Sequence, residues 1–291
     1  MAGVAASGRR QRAWVPYAMI APGVLYLVVF FAIPIYTLFK TSLSVNSGSR
    51  FVPTLEFSWQ WSNYTEAFSS YQEQIARSFW YALIATLIMI VMAYPLAYVI
   101  AFRAGRLRNI MLGLVVLPFF VTFLVRTIAW KTILADDGWV VEMLGTIGLL
   151  PPEDRLLSTP WAVIGGLVYN FLPFMVLPIY VSLEKIDPRL LEASRDLYST
   201  PARTFGKVIL PMSLPGVLAG SLLTFIPASG DFINAEYLGS TRTRMIGNVI
   251  QDEFLRVKDY PVAAALSFVL MAIIIVVVIG YTRVLGTEDL V

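Results

Sequence analysis

The chain has 291 residues, of which 57% are hydrophobic and only 14% charged, and its mean hydropathy is +0.71. Soluble domains carry about 25% charged residues, so composition alone assigns this chain to the membrane class. Cysteine and histidine are absent. Disulfides, Cys/His metal sites, thiol nucleophiles and imidazole acid–base chemistry are therefore excluded, and no catalytic or metal-binding residue is nominated. The net charge of +3 reads as the basic excess of loops beside membrane lipid rather than as a nucleic-acid footprint.

Crossing a hydrocarbon core takes about 20 apolar residues of helix. Arg9, Arg10 and Arg12 precede the apolar run Ala13–Phe39, 27 residues long with no small-residue cleavage site after it. A cleavable signal has an apolar region of roughly 7–15 residues, so this run predicts a retained first membrane helix over 15–39. Further spans are expected over 78–102, 110–130, 161–181, 213–232 and 262–282. The fold class expected is all-α: one membrane domain over 15–282 with six transmembrane helices. The fifth span is the weakest, because Pro227, Gly230 and Asp231 invite a break or bend. Pro95, Pro118, Pro173, Pro178 and Pro215 read as packing kinks or flexible joints. Gly165-Gly166 and Gly216 with Gly220 read as points of close helix contact.

Orientation follows from the basic residues. With the N-terminus inside, segments 1–14, 103–109, 182–209 and 283–291 hold 12 Lys/Arg in 58 residues, against 9 in the 99 residues of 40–77, 131–160 and 231–261. The excess predicts cytoplasmic N- and C-termini and a cytoplasmic 182–209 loop. Trp14, Trp59, Trp61, Trp80, Trp130, Trp139 and Trp161 all fall at or beyond predicted span ends, as interface-seeking aromatics do.

That loop carries the densest charge in the chain. Asp187-Pro188 is a helix-start signal, and Thr200-Pro201 repeats it 13 residues later. Two short helices are predicted, one over about 188–198 and a second from 201 towards Pro211. In the first, Leu190, Ala193 and Leu197 share a face, while Glu192 and Asp196, four apart, share another. In the second, Phe205, Val208 and Ile209 form a stripe beside basic Arg203 and Lys207. Such a pair offers apolar knobs framed by charge to a groove on a partner.

The spacing Glu192-Ala193-Ser194, three residues, Tyr198, nine residues, Val208-x-Leu210-Pro211 resembles the EAA loop of binding-protein-dependent ABC import permeases, Glu-Ala-Ala-x3-Gly-x9-Ile-x-Leu-Pro. Tyr198 stands where the pattern has glycine. Glycine permits positive φ at a cost a tyrosine would bear, so either the turn shifts towards Ser199 or its geometry differs. Leu-Pro-Phe-Phe at 117–120, Leu-Val-Arg-Thr at 124–127, Gly-Leu-Val-Tyr-Asn-Phe-Leu-Pro-Phe at 166–174, Glu184-Lys185-Ile186-Asp187, Leu190-Leu191-Glu192-Ala193 and Ile246-Gly247-Asn248-Val249-Ile250 extend the likeness to the B-type membrane subunits of spermidine/putrescine importers. The resemblance implies a type I ABC importer permease in the inner membrane, forming half of a polyamine path. It implies a heterodimer with a second homologous permease, a dimeric cytoplasmic ABC ATPase and an extracytoplasmic solute-binding protein. The coupling residues it implies are Leu190, Glu192, Ala193, Asp196, Leu197, Tyr198, Phe205, Leu210 and Pro211.

No cofactor is expected on this chain, and ATP would be bound by the partner. A P-loop needs Gly-x4-Gly-Lys-Ser/Thr, whereas the only Gly-Lys pair, Gly206-Lys207, has Pro201 five residues before it and Val208 after it. Arg126 lies inside the third span, 18 residues past Arg108 and so about 27 Å up a straight helix. It either snorkels to the outer interface as an anchor or lines a substrate gate. Asp231, Asn234 and Glu236 follow the suspected break in the fifth span, and Tyr169 and Asn170 interrupt the fourth. These five either line a cation path, with aromatic faces assisting, or belong to packing and solvated loops. Alternative readings are an importer for a sugar or organic anion, an ion-coupled secondary carrier, and a membrane enzyme. The carrier lacks visible inverted repeats, and the enzyme lacks His, Cys and clustered carboxylates within spans.

Overall fold

The computed structural model describes residues 14–48, 54–148, 151 and 155–284. Expectations for 1–13 and 285–291, the first-span arginines among them, lie outside the described residues. Helix α1 (Trp14–Leu27) passes through one π turn, Val28–Ala32, into α2 (Ile33–Ser42). Pro34 has no N–H for the carbonyl four residues back, and the wider turn, with Ile33 N–H bonded to the Val28 carbonyl, accommodates it. A short hairpin comes next: β1 (Ser44–Asn46) pairs antiparallel with β2 (Leu55–Phe57), Val45 opposite Glu56. The hairpin is a small addition to the all-α architecture.

Helix α3 (Ser62–Phe102) has 41 residues, a length of about 61 Å, or twice a hydrocarbon core of ~30 Å. Its first part therefore projects beyond the predicted span at 78–102. A kink at Tyr71 (φ −122°, ψ 19°) divides the two parts, and the Tyr71 hydroxyl donates to Glu253 Oε1 at 2.7 Å.

The third span departs from expectation. Instead of one helix over 110–130, α4 (Arg108–Val116) tightens into a 3₁₀ turn at Leu117–Phe120, and α5 (Phe123–Leu134) sets off in a new direction. The axis bends by 93° between Gly105–Phe120 and Phe123–Thr146. Pro118 removes a helical donor, and Val121 and Thr122 then adopt extended backbone. Helix α6 (Trp139–Thr146) completes this arm.

Helix α7 (Pro160–Glu184) starts on a Thr159 cap, whose Oγ1 accepts from Ala162 N–H at 3.2 Å, with Pro160 in the first turn. After it come α8 (Pro188–Asp196), α9 (Pro201–Thr204), α10 (Leu210–Ser229), α11 (Ile233–Leu238), α12 (Ile246–Asp252) and α13 (Tyr260–Val284). The helix of the fifth span ends at Ser229, short of the expected 232: Pro227 stays helical, and Gly230 closes the helix. Among the described residues, five helices are long and apolar enough to cross a membrane, and the bent pair makes a sixth.

Lipid is as apolar as leucine, so close packing rather than hydrophobic gain must hold these helices together. Helix α7 is the centre, pressed between α3 and α10. On α3 the stripe Ala82, Ala85, Met89, Ala93 and Ala97 is fully buried. It recurs every three or four residues, so its small side chains line one face. Leu167, Met175, Ile179 and Leu183 of α7 are also fully buried. Gly216 of α10 lies so close to α7 that a Cβ would stand 2.5 Å from the Pro178 carbonyl oxygen. By contrast, a Cβ on Gly165 would meet open space, whereas one on Gly166 would stand 2.6 Å from Asn234 Oδ1. Only the second glycine of that pair marks a contact. The rod from Met19 to Ser42 stands apart, with none of its apolar window buried. It leans on α13, where Phe39 meets Phe268 edge-on at 5.7 Å.

Gly216→Ala is expected to destabilise the detergent-solubilised protein by about 1–3 kcal/mol through overpacking, and Gly165→Ala to leave stability within about 0.5 kcal/mol. The midpoint of thermal unfolding checks both; equal midpoints for the two variants would refute the α7–α10 seam.

Candidate functional site

The charged loop folds as two helices meeting at a turn. Asp187 Oδ1 accepts from Arg189 N–H at 2.9 Å and starts α8. At its end the Ser199 N–H reaches back to the Ser194 carbonyl at 3.1 Å, with Tyr198 between them at φ +55°. This is the six-to-one bond of a Schellman closure, with Tyr198 in the left-handed seat glycine normally takes. Neither expectation for Tyr198 holds: the turn does not move to Ser199, and its geometry is the one a glycine would give. The tyrosine bears the cost, about 1–2 kcal/mol, and its side chain is 95% exposed.

Helix α9 begins on Thr200, whose Oγ1 accepts from Arg203 N–H at 3.4 Å. The helix expected from 201 towards Pro211 forms and continues past it. It runs through a π turn, Phe205–Ile209, directly into α10, giving one helix over Pro201–Ser229. The cause is again a proline. Pro211 offers no N–H to the Lys207 carbonyl, and Leu210 N–H bonds to the Phe205 carbonyl instead. The Ser194 and Thr204 hydroxyls bond at 2.7 Å and tie α8 to α9.

Leu190, Ala193 and Leu197 line a groove of about 370 Å³ with Val208, and Arg203 and Lys207 flank it. Glu192 and Asp196 are exposed, as are Leu210 and Pro211 at the head of α10. Phe205 does something else. Its ring packs on Tyr94 at 5.6 Å and Tyr98 at 6.3 Å, so it fastens the loop to α3. The neighbouring Tyr94 hydroxyl bonds to Ser213 Oγ at 2.7 Å. Arg108 pairs with Glu184, donates to the Tyr180 hydroxyl and lies 5.1 Å over the Tyr180 ring. This clamp joins the start of α4 to the end of α7, at the base of the loop.

At the opposite end the polar residues separate into three places. Asn170 of α7 donates from Nδ2 to Asn234 Oδ1 at 3.0 Å and to Thr127 Oγ1 at 3.2 Å; all three residues are buried. Asp231 is also buried, and its Oδ1 accepts from Asn234 N–H at 2.8 Å, capping α11. Asn170 Oδ1 and Asn234 Nδ2 find no partner among the described residues. Each such orphan costs about 1–3 kcal/mol. Tyr169 faces away, packing on Trp130 at 5.4 Å beside an apolar pocket lined by Leu96, Met111 and Pro118. Glu236 belongs to an outer charge network, 3.6 Å from Arg256 and 3.3 Å from Asn248 Nδ2, in which Arg244 also pairs with Asp252.

Arg126 does not snorkel. The bend at Val121–Thr122 removes the straight helix on which that expectation rests, and the side chain is buried against Phe123, 5.6 Å from its ring. Its Nε and Nη1 find no acceptor among the described residues.

The comparisons with known proteins agree with this architecture. Residues 93–285 match the family described as "Binding-protein-dependent transport system inner membrane component". The chain belongs to that family. It is 37% identical over 266 residues to the spermidine/putrescine transport system permease protein PotB of Escherichia coli K12, covering 91% of this chain and 96% of the relative. With PotB of Haemophilus influenzae it shares 39% over 273 residues, covering 90% and 92%. Among solved structures, a chain of a bacterial alginate ABC transporter in complex with its alginate pentasaccharide-bound periplasmic protein superposes with a TM-score of 0.71 at 19% identity, covering 96% of each chain. The last likeness is one of fold. The chain is thus a multi-pass permease subunit of the inner membrane, and such subunits are not themselves enzymes.

Several residues that hold this permease together carry little signal in the sequence. Thr127 has none beyond its place beside Arg126. Arg108 reads as loop charge, and its partnership with Glu184 crosses 76 residues of chain. Ser78 Oγ accepts from Ile246 N–H at 2.7 Å and docks α12 on α3. The alanine stripe of α3, however, is legible at helical spacing.

The Asn170–Asn234 contact predicts a coupling of about 0.6–1.7 kcal/mol, the range of interhelical hydrogen bonds in membranes. A double-mutant cycle of Asn170→Ala and Asn234→Ala, read by unfolding in detergent, checks it; strict additivity would mean the bond does not form.

Proposed function

We propose that this chain forms half of the translocation path of an ABC importer for polyamines, with cytoplasmic termini, and couples to a dimeric ATPase through the loop over 184–211. A second, homologous permease completes the path, and an extracytoplasmic solute-binding protein delivers the cargo. The single observation that carries the coupling role is the continuous helix Pro201–Ser229, in which α9 passes through one π turn into α10. A push on the loop crosses no non-helical segment before it reaches a membrane helix. Three further contacts support a stiff lever. The Ser194–Thr204 bond joins the two loop helices, Phe205 fixes them to α3, and the Arg108–Glu184 clamp holds the base. Closure of the ATPase pair on ATP would displace the docked loop and rock α7 and α10 as a body, opening the path outward; hydrolysis would return it. ATP is bound by the partner.

Cargo rests on similarity to the PotB proteins over nine-tenths of the chain, and the polar node of Asn170, Asn234 and Thr127 is the part of this half that a path would border. Asp231 caps a helix, and Glu236 shares its cavity with Arg244 and Arg256. Neither offers an uncommitted carboxylate, so the carboxylates a polycation needs would come from the second permease or from rearrangement on opening.

Glu192→Ala is expected to abolish ATP-driven uptake while membrane insertion and the unfolding midpoint stay unchanged, because Glu192 is exposed and makes no hydrogen bond or ion pair among the described residues. Full uptake by this variant would reject the coupling role. In competition assays spermidine and putrescine should suppress uptake, whereas sugars and organic anions should not. Failure of both polyamines would remove the cargo assignment and leave the permease.

A further inference from the structure

We infer that Tyr198 is a specificity contact for the ATPase: its ring inserts into an apolar recess on that subunit, and the strained turn exists to aim it. The inference rests on the proposed coupling role of the loop. It begins from an energetic mismatch. Tyr198 holds φ +55°, a conformation that a Cβ penalises and that glycine or asparagine adopts more easily. Strain of this kind persists where function requires it. Among the described residues nothing repays it. Among those residues the ring meets no other aromatic ring and the hydroxyl makes no hydrogen bond, and the residue is 95% exposed. The backbone bond that closes the turn, Ser199 N–H to the Ser194 carbonyl, would form equally well around a glycine.

The setting favours a protein partner over lipid. Tyr198 comes directly after Leu197, itself 81% exposed, at the end of a groove floored by Leu190 and Val208 and flanked by Arg203 and Lys207. Apolar knobs beside exposed cations suit a recess with an acidic rim. Binding hot spots are enriched in tyrosine, tryptophan and arginine. The left-handed seat also sets direction. At ordinary helical φ the chain would continue as helix, and residue 198 would not project from the corner of the loop. The departure from glycine at this seat therefore selects one ATPase over those that serve other permeases.

The test uses the assembled transporter and three variants. Tyr198→Gly and Tyr198→Asn accept the left-handed φ without the ring, and Tyr198→Phe keeps both ring and strain. The expected result is that the Gly and Asn variants unfold at a higher temperature than wild type yet bind the ATPase about tenfold more weakly. The Phe variant should bind within about threefold of wild type. Binding is read by titrating the ATPase subunit against nanodisc-embedded permease. Wild-type affinity in the Gly and Asn variants would overturn the inference, as would a Phe variant as weak as Gly. If Glu192→Ala uncouples transport while Tyr198→Gly binds normally, only the tyrosine assignment falls. If the wild-type permease binds no ATPase, the coupling role falls with it.

Discussion

The close approach of α7 to α3 and α10 is the constraint on which the rest of this molecule depends. In a bilayer no solvent drives apolar surfaces together, so helices stay in register only if they interdigitate tightly. The alanines of α3, Gly216 of α10 and Gly166 of α7 supply the necessary absence of side chain. Gly166 has a second consequence. One turn before Asn170, it lets α11 come near enough for Asn234 to reach the Asn170 amide. The same lack of bulk therefore sets both the packing and the polar node beside it.

Proline organises the chain in two opposite ways. In α7 and α10, Pro173, Pro178, Pro215 and Pro227 are absorbed within continuous helices. Pro34 and Pro211 are absorbed too, but through π turns that rebond the carbonyls around them. Pro118 is not absorbed: extended residues succeed it, and the third span folds over by 93°. At Pro118 the helix first tightens into a 3₁₀ turn, Leu117–Phe120, and Val121 and Thr122 then leave helical backbone.

The two ends of the permease are built for different tasks. At the loop end, contacts are made to be stiff: a clamp, a hydroxyl bridge, an aromatic wedge and a continuous helix. At the other end, polar groups are buried and partly unmatched. Arg126, Asn170 and Asn234 all keep unused hydrogen-bonding atoms among the described residues. Unmatched groups in a low-dielectric interior favour rearrangement to any conformation that satisfies them. A rigid input joined to a frustrated core is a physical basis for a two-state device.

Local signals in the sequence determined most of the helices and the loop. Runs of apolar residues mark the spans, Asp187-Pro188 and Thr200-Pro201 mark the helix starts, and the Glu192 to Pro211 spacing marks the segment proposed to couple. These features depend on neighbours a few residues apart, which is why they are legible. Where Arg126 points, which face Phe205 turns, how Asp231, Asn170, Tyr169 and Glu236 divide among three environments, and what backbone Tyr198 accepts were decided only by tertiary structure. Each of these depends on a partner distant in the chain or on a bend that linear distance conceals, and neither hydropathy nor spacing carries that information.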